Sequence, residues 1–138
     1  MTKELLVFQV DPPLQESELS TLFAAAWPDG AKSNYCRVLS HSLAYVSALH
    51  QGRLIGFVNV AWDGGIHGFV LDTTVHPEFQ RRGIGTTLVQ KAAQVAKERG
   101  VIWLHVDFEP ELEPFYWGCG FQPAAAAGLM NLRVDIVI

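Results

Sequence analysis

The stretch Val75-His76-Pro77-Glu78-Phe79-Gln80-Arg81-Arg82-Gly83-Ile84-Gly85 links a strand-like apolar run to a segment with helical spacing. Residues 67–75 read as the strand, His76-Pro77 as a tight turn, and the glycines as the opening of the helix. Such a passage aims several backbone N–H groups at one spot, and a helix N-terminus attracts phosphate. Gly83 and Gly85 have no side chain to block a close ligand. Thr86 and Thr87 offer hydroxyl donors, and Arg81 and Arg82 add positive charge to the rim. A pyrophosphate fits a cradle of this kind. The competing reading is structural, with the glycines only letting a helix start against a sheet. Two nucleotide motifs fit badly. The mononucleotide loop needs Lys and Ser or Thr after its last glycine, where Thr86-Thr87 stands. The dinucleotide fingerprint needs a third glycine where Leu88 stands, and it belongs to parallel strands.

After the turn, residues 83–99 carry Ile84, Leu88, Ala92, Val95 and Ala96 on one face, which predicts a long amphipathic helix. Gly100 can take the left-handed conformation that ends it. Residues 101–108 are expected to be a strand with Ile102, Leu104, Val106 and Phe108 on one face and Trp103, His105 and Asp107 on the other. A short helix should start near Glu113 with Pro114 in its first turn, ending at Gly118 or Gly120, and residues 129–138 should form a final strand. Before the turn, residues 5–10 read as a strand stopped by Asp11-Pro12-Pro13. Leu19, Leu22, Phe23 and Ala26 then read as a helix closed by Pro28-Asp29-Gly30. Residues 31–42 are a loop or a short second helix. Residues 43–49, 54–62 and 67–75 should form an antiparallel meander.

Nothing divides the 138 residues, so one domain spanning 1–138 with one core is expected. Apolar residues at 49% and charged residues at 17% exclude disorder. The net charge of −4 excludes nucleic-acid binding that works mainly by neutralising phosphates, and it suits a cationic substrate. The N-terminus lacks an export signal, and no apolar run approaches the roughly 18 residues of a membrane span. Cys36 and Cys119 lack metal-like spacing and read as reduced thiols of a cytoplasmic protein, with no metal site.

The run from Gln80 to Gly85 resembles the GNAT superfamily pattern Gln/Arg-x-x-Gly-x-Gly/Ala, with Val75-His76-Pro77 before it at that family's spacing. Phe115-Tyr116-Trp117-Gly118-Cys119-Gly120-Phe121 is similar to the family's Tyr-x-x-x-Gly-Phe segment. At motif level the resemblance covers residues 43–121. The first 42 residues match only as a strand followed by a helix. The resemblance implies a mixed α+β GNAT-like fold, with a mostly antiparallel sheet of about six to seven strands flanked by about three to four helices. It also implies an acyl-CoA-dependent N-acetyltransferase. Acetyl-CoA would enter a V-shaped opening between the fourth and fifth strands from one side, and an amine from the other. Backbone groups of Thr73, Thr74 and Val75 would bind the pantetheine arm. The amides and side chains of Gln80, Arg81, Arg82, Gly83, Ile84, Gly85 and Thr86 would hold the pyrophosphate. Tyr116 would serve the departing thiolate. Many members carry an asparagine after the fifth strand, and Glu109-Pro110 stands there in this chain.

Acetyl transfer needs a neutral amine, and an alkyl amine with a pKa near ~10.4 is neutral in about one molecule in ~2,500 at pH 7. Asp72, His105 and Asp107 are the residues placed to take its proton. Each has a plain structural reading as well. Asp72 reads equally as a carboxylate bonded to Thr73 or Thr74, His105 as a packed residue beside Trp103, and Asp107 as a turn cap. Trp27, Tyr35 and Tyr45 either shape the acceptor pocket or pack the core. The acceptor is expected to be a small-molecule amine or an exposed protein amine. The rival reading is an acyl-CoA-binding module without chemistry. A homodimer through residues 132–138 is a further expectation.

Overall fold

The computed structural model describes residues 5–29, 34–124 and 127–133. Its elements run β1 (Leu6–Val10), α1 (Glu16–Ala26), α2 (Tyr35–Leu39), β2 (Ser42–His50), β3 (Arg53–Trp62), β4 (His67–Val75), α3 (Ile84–Glu98), β5 (Trp103–His105) and α4 (Glu113–Gly118). Single 3-10 turns lie at Pro77–Phe79 and Pro110–Leu112. The sheet follows chain order, β1-β2-β3-β4-β5, antiparallel up to β4 and parallel between β4 and β5. The β2–β3 hairpin turns on Gln51 and Gly52, both at positive φ, which matches the twist of its strands.

Helix α3 covers one face of the sheet, and α1 and α2 cover the other. The stripe foreseen on α3 is buried, and Ile84, Leu88, Ala92 and Ala96 pack with Val46, Ala48, Val58, Val60 and Val70. Leu19, Leu22 and Phe23 of α1 pack with Tyr35, Leu54 and Phe57 on the opposite face. Sandwiched in this way, β3 is buried continuously over residues 54–60, as its near-unbroken apolar run requires. Gly56 lets α3 come close, because a Cβ there would lie 3.0 Å from Leu88 Cδ1 and 3.1 Å from Ala48 Cβ.

Two expectations are corrected. The fifth strand is three residues, Trp103–His105, rather than 101–108, because its ladder to β4 ends at the Phe69 and His105 pair. Pro110, lacking an N–H, then turns the chain into a 3-10 turn. The sheet has five strands among the described residues rather than six to seven, since residues 129–133 form no strand. The rest of that expected strand, and most of the stretch invoked for a homodimer, lies outside the described residues. Of the stretch read as a loop or a short second helix, Tyr35–Leu39 form a short helix, α2, and residues 31–33 lie outside the described residues.

Candidate active site

The site begins where β4 and β5 part. Only His67, Gly68 and Phe69 pair with Trp103, Leu104 and His105, so residues 70–75 of β4 run on without β5 beside them. The result is a cleft along the outer edge of β4. Within it the strand bulges: Phe57 pairs with Thr74 and Asn59 with Leu71, leaving Asp72 and Thr73 both opposite Val58. Asp72 sits at φ 56, a left-handed conformation that an Asp tolerates better than most residues. The Thr74 hydroxyl donates to the Asp72 carbonyl at 2.8 Å and accepts from the Trp27 indole N–H at 3.1 Å. The Asp72 carboxylate accepts a hydrogen bond from the Tyr35 hydroxyl.

Helix α4 closes the cleft from the other side. The Tyr116 hydroxyl lies 3.4 Å from Thr73 Oγ1, the ring is stacked on Phe108, and Phe115 and Phe121 meet it edge-on. Burial in this aromatic setting pushes the Tyr116 phenol above its ordinary pKa. It therefore stays protonated near neutrality and faces β4 as a donor.

At the end of β4 the chain makes the turn foreseen in the sequence. His76 N–H bonds the Ile55 carbonyl at 2.8 Å, and His76 Nδ1 accepts the Glu78 N–H at 3.1 Å. Pro77 opens the 3-10 turn that buries Phe79, whose ring lies beneath the Arg82 guanidinium at 5.3 Å. The Gln80 amide donates to the Val75 carbonyl at 3.0 Å, tying the turn to the strand. Arg81 and Gly83 take positive φ, 64° and 78°, which brings the chain into α3 with its first-turn amides, those of Ile84, Gly85 and Thr86, beyond the reach of intrahelical acceptors.

The two glycines do different work. A Cβ on Gly83 would meet nothing within 4 Å, so the space beside Gly83, at the head of α3, is open. A Cβ on Gly85 would lie 3.2 Å from two atoms of the Phe115 ring, so the missing side chain of Gly85 admits α4. Thr87, read as a hydroxyl donor, spends its hydroxyl on the Gly83 carbonyl at 3.0 Å. The residues present fit a pyrophosphate: open space over Gly83, free first-turn amides and the arginines of the turn.

The remaining acid–base candidates stand on β5 or just after it, and the Asp107 charge adds to the upward push that burial gives the Tyr116 phenol. His105 is exposed, stacked on Phe69 at 4.9 Å, and its Nε2 lies 2.9 Å from His67 Nδ1. Asp107 is exposed in the segment after β5. Asp63 caps the β3–β4 turn by accepting the Gly65 N–H at 2.8 Å. Glu113 accepts the Trp117 indole N–H at 3.0 Å within α4. Tyr35 and Trp27, for which the sequence leaves acceptor pocket and core packing both open, bring their polar tips to the β4 bulge, and Tyr35 also packs in the core beside Phe23 and Phe57. Among the described residues no three His, Cys, Asp or Glu side chains stand together as a metal site would need. No helix among them is long and apolar enough to cross a membrane.

Comparison with known proteins agrees with this geometry. Mycothiol acetyltransferase of Mycolicibacterium vanbaalenii is 36% identical over 89 residues, covering 64% of this chain and 27% of that protein. The chain thus spans about a quarter of that relative's length. An acetyltransferase of the GNAT family from Streptococcus pneumoniae superposes with a TM-score of 0.76 at 24% identity, over 93% of this chain and 99% of that one. An aminoglycoside N-acetyltransferase in complex with CoA superposes with a TM-score of 0.75 at 18% identity, over 96% and 98% of the two chains. The model of the acetyltransferase (GNAT) family matches residues 12–121, which take in the parted strands, the turn at the head of α3 and Tyr116, and the chain belongs to that family.

Proposed function

We propose that the protein transfers an acetyl group from acetyl-CoA to a primary amine by direct attack within a ternary complex. The observation that carries this reading is the parting of β4 from β5, with the Tyr116 hydroxyl facing Thr73 at one wall and the open head of α3 beside it. Acetyl-CoA, when bound, supplies an activated thioester. The amides of Arg81 to Thr86 and the side chains of the turn hold its pyrophosphate, and the outer edge of β4 at Thr73, Thr74 and Val75 offers main-chain groups to the arm. The amine forms a C–N bond as the C–S bond breaks. It loses one proton, for which Asp72, His105 and Asp107 are the acceptors proposed, directly or through water.

The thiolate that leaves must be stabilised. A phenol near ~10 facing a thiol near ~8.5 gives a proton transfer that is uphill by about 2 kcal/mol, and burial of Tyr116 widens that gap. Tyr116 therefore acts by hydrogen bonding to the developing thiolate, with solvent supplying the final proton. Asp72 at the bulge and the net charge of −4 favour a cationic acceptor, a small-molecule amine or an exposed protein amine. Cys36 and Cys119 are both free thiols, which suits the reducing cytoplasm where the proposal places the protein. The test is CoA release from acetyl-CoA with a panel of amines: spermidine, tobramycin, lysine and an alanyl peptide. Amine-dependent release is expected for at least one. Acetyl-CoA binding with no amine-dependent release across the panel would favour a binding module instead.

A further inference from the structure

We propose that His76 is a positioning residue of the turn before α3, and that Arg53 on β3 competes with that turn for the one lone pair of the His76 ring. The consequence for the cofactor rests on the reading above, in which this turn holds the pyrophosphate of acetyl-CoA. The proposal starts from an imbalance. A neutral imidazole has one acceptor nitrogen and one N–H, whereas a guanidinium and a backbone N–H only donate. The Glu78 N–H points at His76 Nδ1 at 3.1 Å, and Arg53 Nη2 stands 3.0 Å from His76 Nε2. Both contacts ask the ring to accept, and it can accept once.

The ring has little room to avoid the choice. His76 is 9% exposed, its N–H is bonded to the Ile55 carbonyl at 2.8 Å, and Phe79 meets the ring edge-on. With the lone pair on Nδ1, His76 caps the 3-10 turn Pro77–Phe79. The backbone bonds of that turn are the Phe79 N–H to the His76 carbonyl at 2.8 Å and a long one, the Gln80 N–H to the Pro77 carbonyl at 3.5 Å. The cap therefore adds substantially to its hold. Glu78, the residue capped, also offers its carbonyl to Arg82 Nη2 at 3.4 Å, so the cap bears on where that arginine of the turn stands. With the lone pair on Nε2, the ring binds Arg53 and turns its Nδ1–H toward the Glu78 N–H, which undoes the cap.

The two partners are closely matched. The bond from Arg53 is charge-assisted and so the stronger in kind. Against that, the Arg53 side chain is 54% exposed, and its Nη1 lies 4.0 Å from the Glu78 carboxylate, which offers it another acceptor. Arg53 and His76 also line a cavity of about 250 Å³ with Ser17, Glu18 and Thr21 of α1, into which the guanidinium can move. The backbone N–H of Glu78 has no such freedom. Arg53 on the ring loosens the turn, and its departure tightens it.

Two measurements test this in wild type, Arg53→Met, His76→Asn and the double variant. Nitrogen-15 NMR of the His76 ring without ligand, at about pH 8 where an imidazole is neutral, reads which nitrogen carries the proton. A mixture is expected in wild type, moving to the Nε2–H form in Arg53→Met. In calorimetry, Arg53→Met is expected to lower the acetyl-CoA Kd about threefold. In the His76→Asn background the same change is expected to bring no gain, because the asparagine oxygen can accept the Glu78 N–H without a choice of tautomer. The same ring tautomer in wild type and Arg53→Met would overturn the competition. So would an affinity in Arg53→Met no better than wild type, or an equal gain in both backgrounds. A tautomer shift in a protein that binds no acetyl-CoA would remove the cofactor reading and leave the competition for His76 standing.

Discussion

Two tyrosines with the same chemistry reach β4 from different elements, Tyr35 from α2 and Tyr116 from α4, and their surroundings differ. Tyr116 is held among Phe108, Phe115 and Phe121 with its hydroxyl toward Thr73, so its donor faces the outer edge of β4 where the thioester would lie. Tyr116→Phe keeps that packing and removes only the donor. Turnover is expected to fall roughly a hundredfold with acetyl-CoA affinity within about twofold, as steady-state kinetics and calorimetry would show. Unchanged turnover would take Tyr116 out of the chemistry. Tyr35 has its phenol raised by burial and by Asp72, and the folded state holds that proton more tightly than the unfolded chain does. Its contribution to stability is thus complete below the unfolded phenol value of about 10, and it is lost as pH rises above that value toward the folded one. Urea unfolding at pH 9 and pH 11 should show a smaller loss of stability for Tyr35→Phe than for wild type. Equal losses would mean that Tyr35 is not the group whose proton matters.

The contact of α4 with α3 depends on one missing methyl. Gly85→Ala places a Cβ 3.2 Å from the Phe115 ring, so the ring must shift by a few tenths of an ångström and carry Tyr116 with it. The variant is expected to lose activity with a stability cost under about 1 kcal/mol, whereas Gly56→Ala pushes Leu88 and Ala48 apart in the core and should cost about 1–3 kcal/mol with less effect on the cleft. Thermal unfolding together with activity separates the two. The elements themselves were largely legible in the sequence. The stripe on α3, the apolar runs of β2 to β4 and Pro114 opening α4 each follow a period or a residue with one backbone meaning. The turn and Tyr116 were legible because their residues are adjacent in the chain. The length of β5 was not, since its end is decided by where β4 stops pairing, a property of two strands rather than one. The bonds from Tyr35 and Trp27 to the β4 bulge span 37 and 47 residues, and no local period encodes them. Hence the turn at the head of α3 could be read from the chain, while the contacts of Tyr35 and Trp27 with β4 needed the fold.

At the scale of the molecule, one sheet carries two half-sites that meet at β4. On the proposed function the head of α3 and α4 would form the cofactor side, while α1 and α2 pack on the opposite face of the sheet from α3. Residues 72–121 would then carry the chemistry, and the segment before β2 would bear on the choice of acceptor. The proposed function also makes a plain claim about ligand class, that the open head of α3 takes the pyrophosphate of acetyl-CoA and not that of a nucleotide in general. Ligand at about 100 times its Kd would stabilise the fold by about 2.7 kcal/mol, which for a domain of this size is a rise in Tm of several degrees. The most direct test is calorimetric titration of acetyl-CoA and of ATP into wild type and Gly83→Val, a change that puts a branched side chain at φ 78 into the open space beside Gly83 at the head of α3. Saturable one-to-one binding of acetyl-CoA by wild type, much weaker binding of ATP, and loss of acetyl-CoA binding in Gly83→Val are the results expected. No acetyl-CoA binding by wild type, or tighter binding of ATP, would contradict the account.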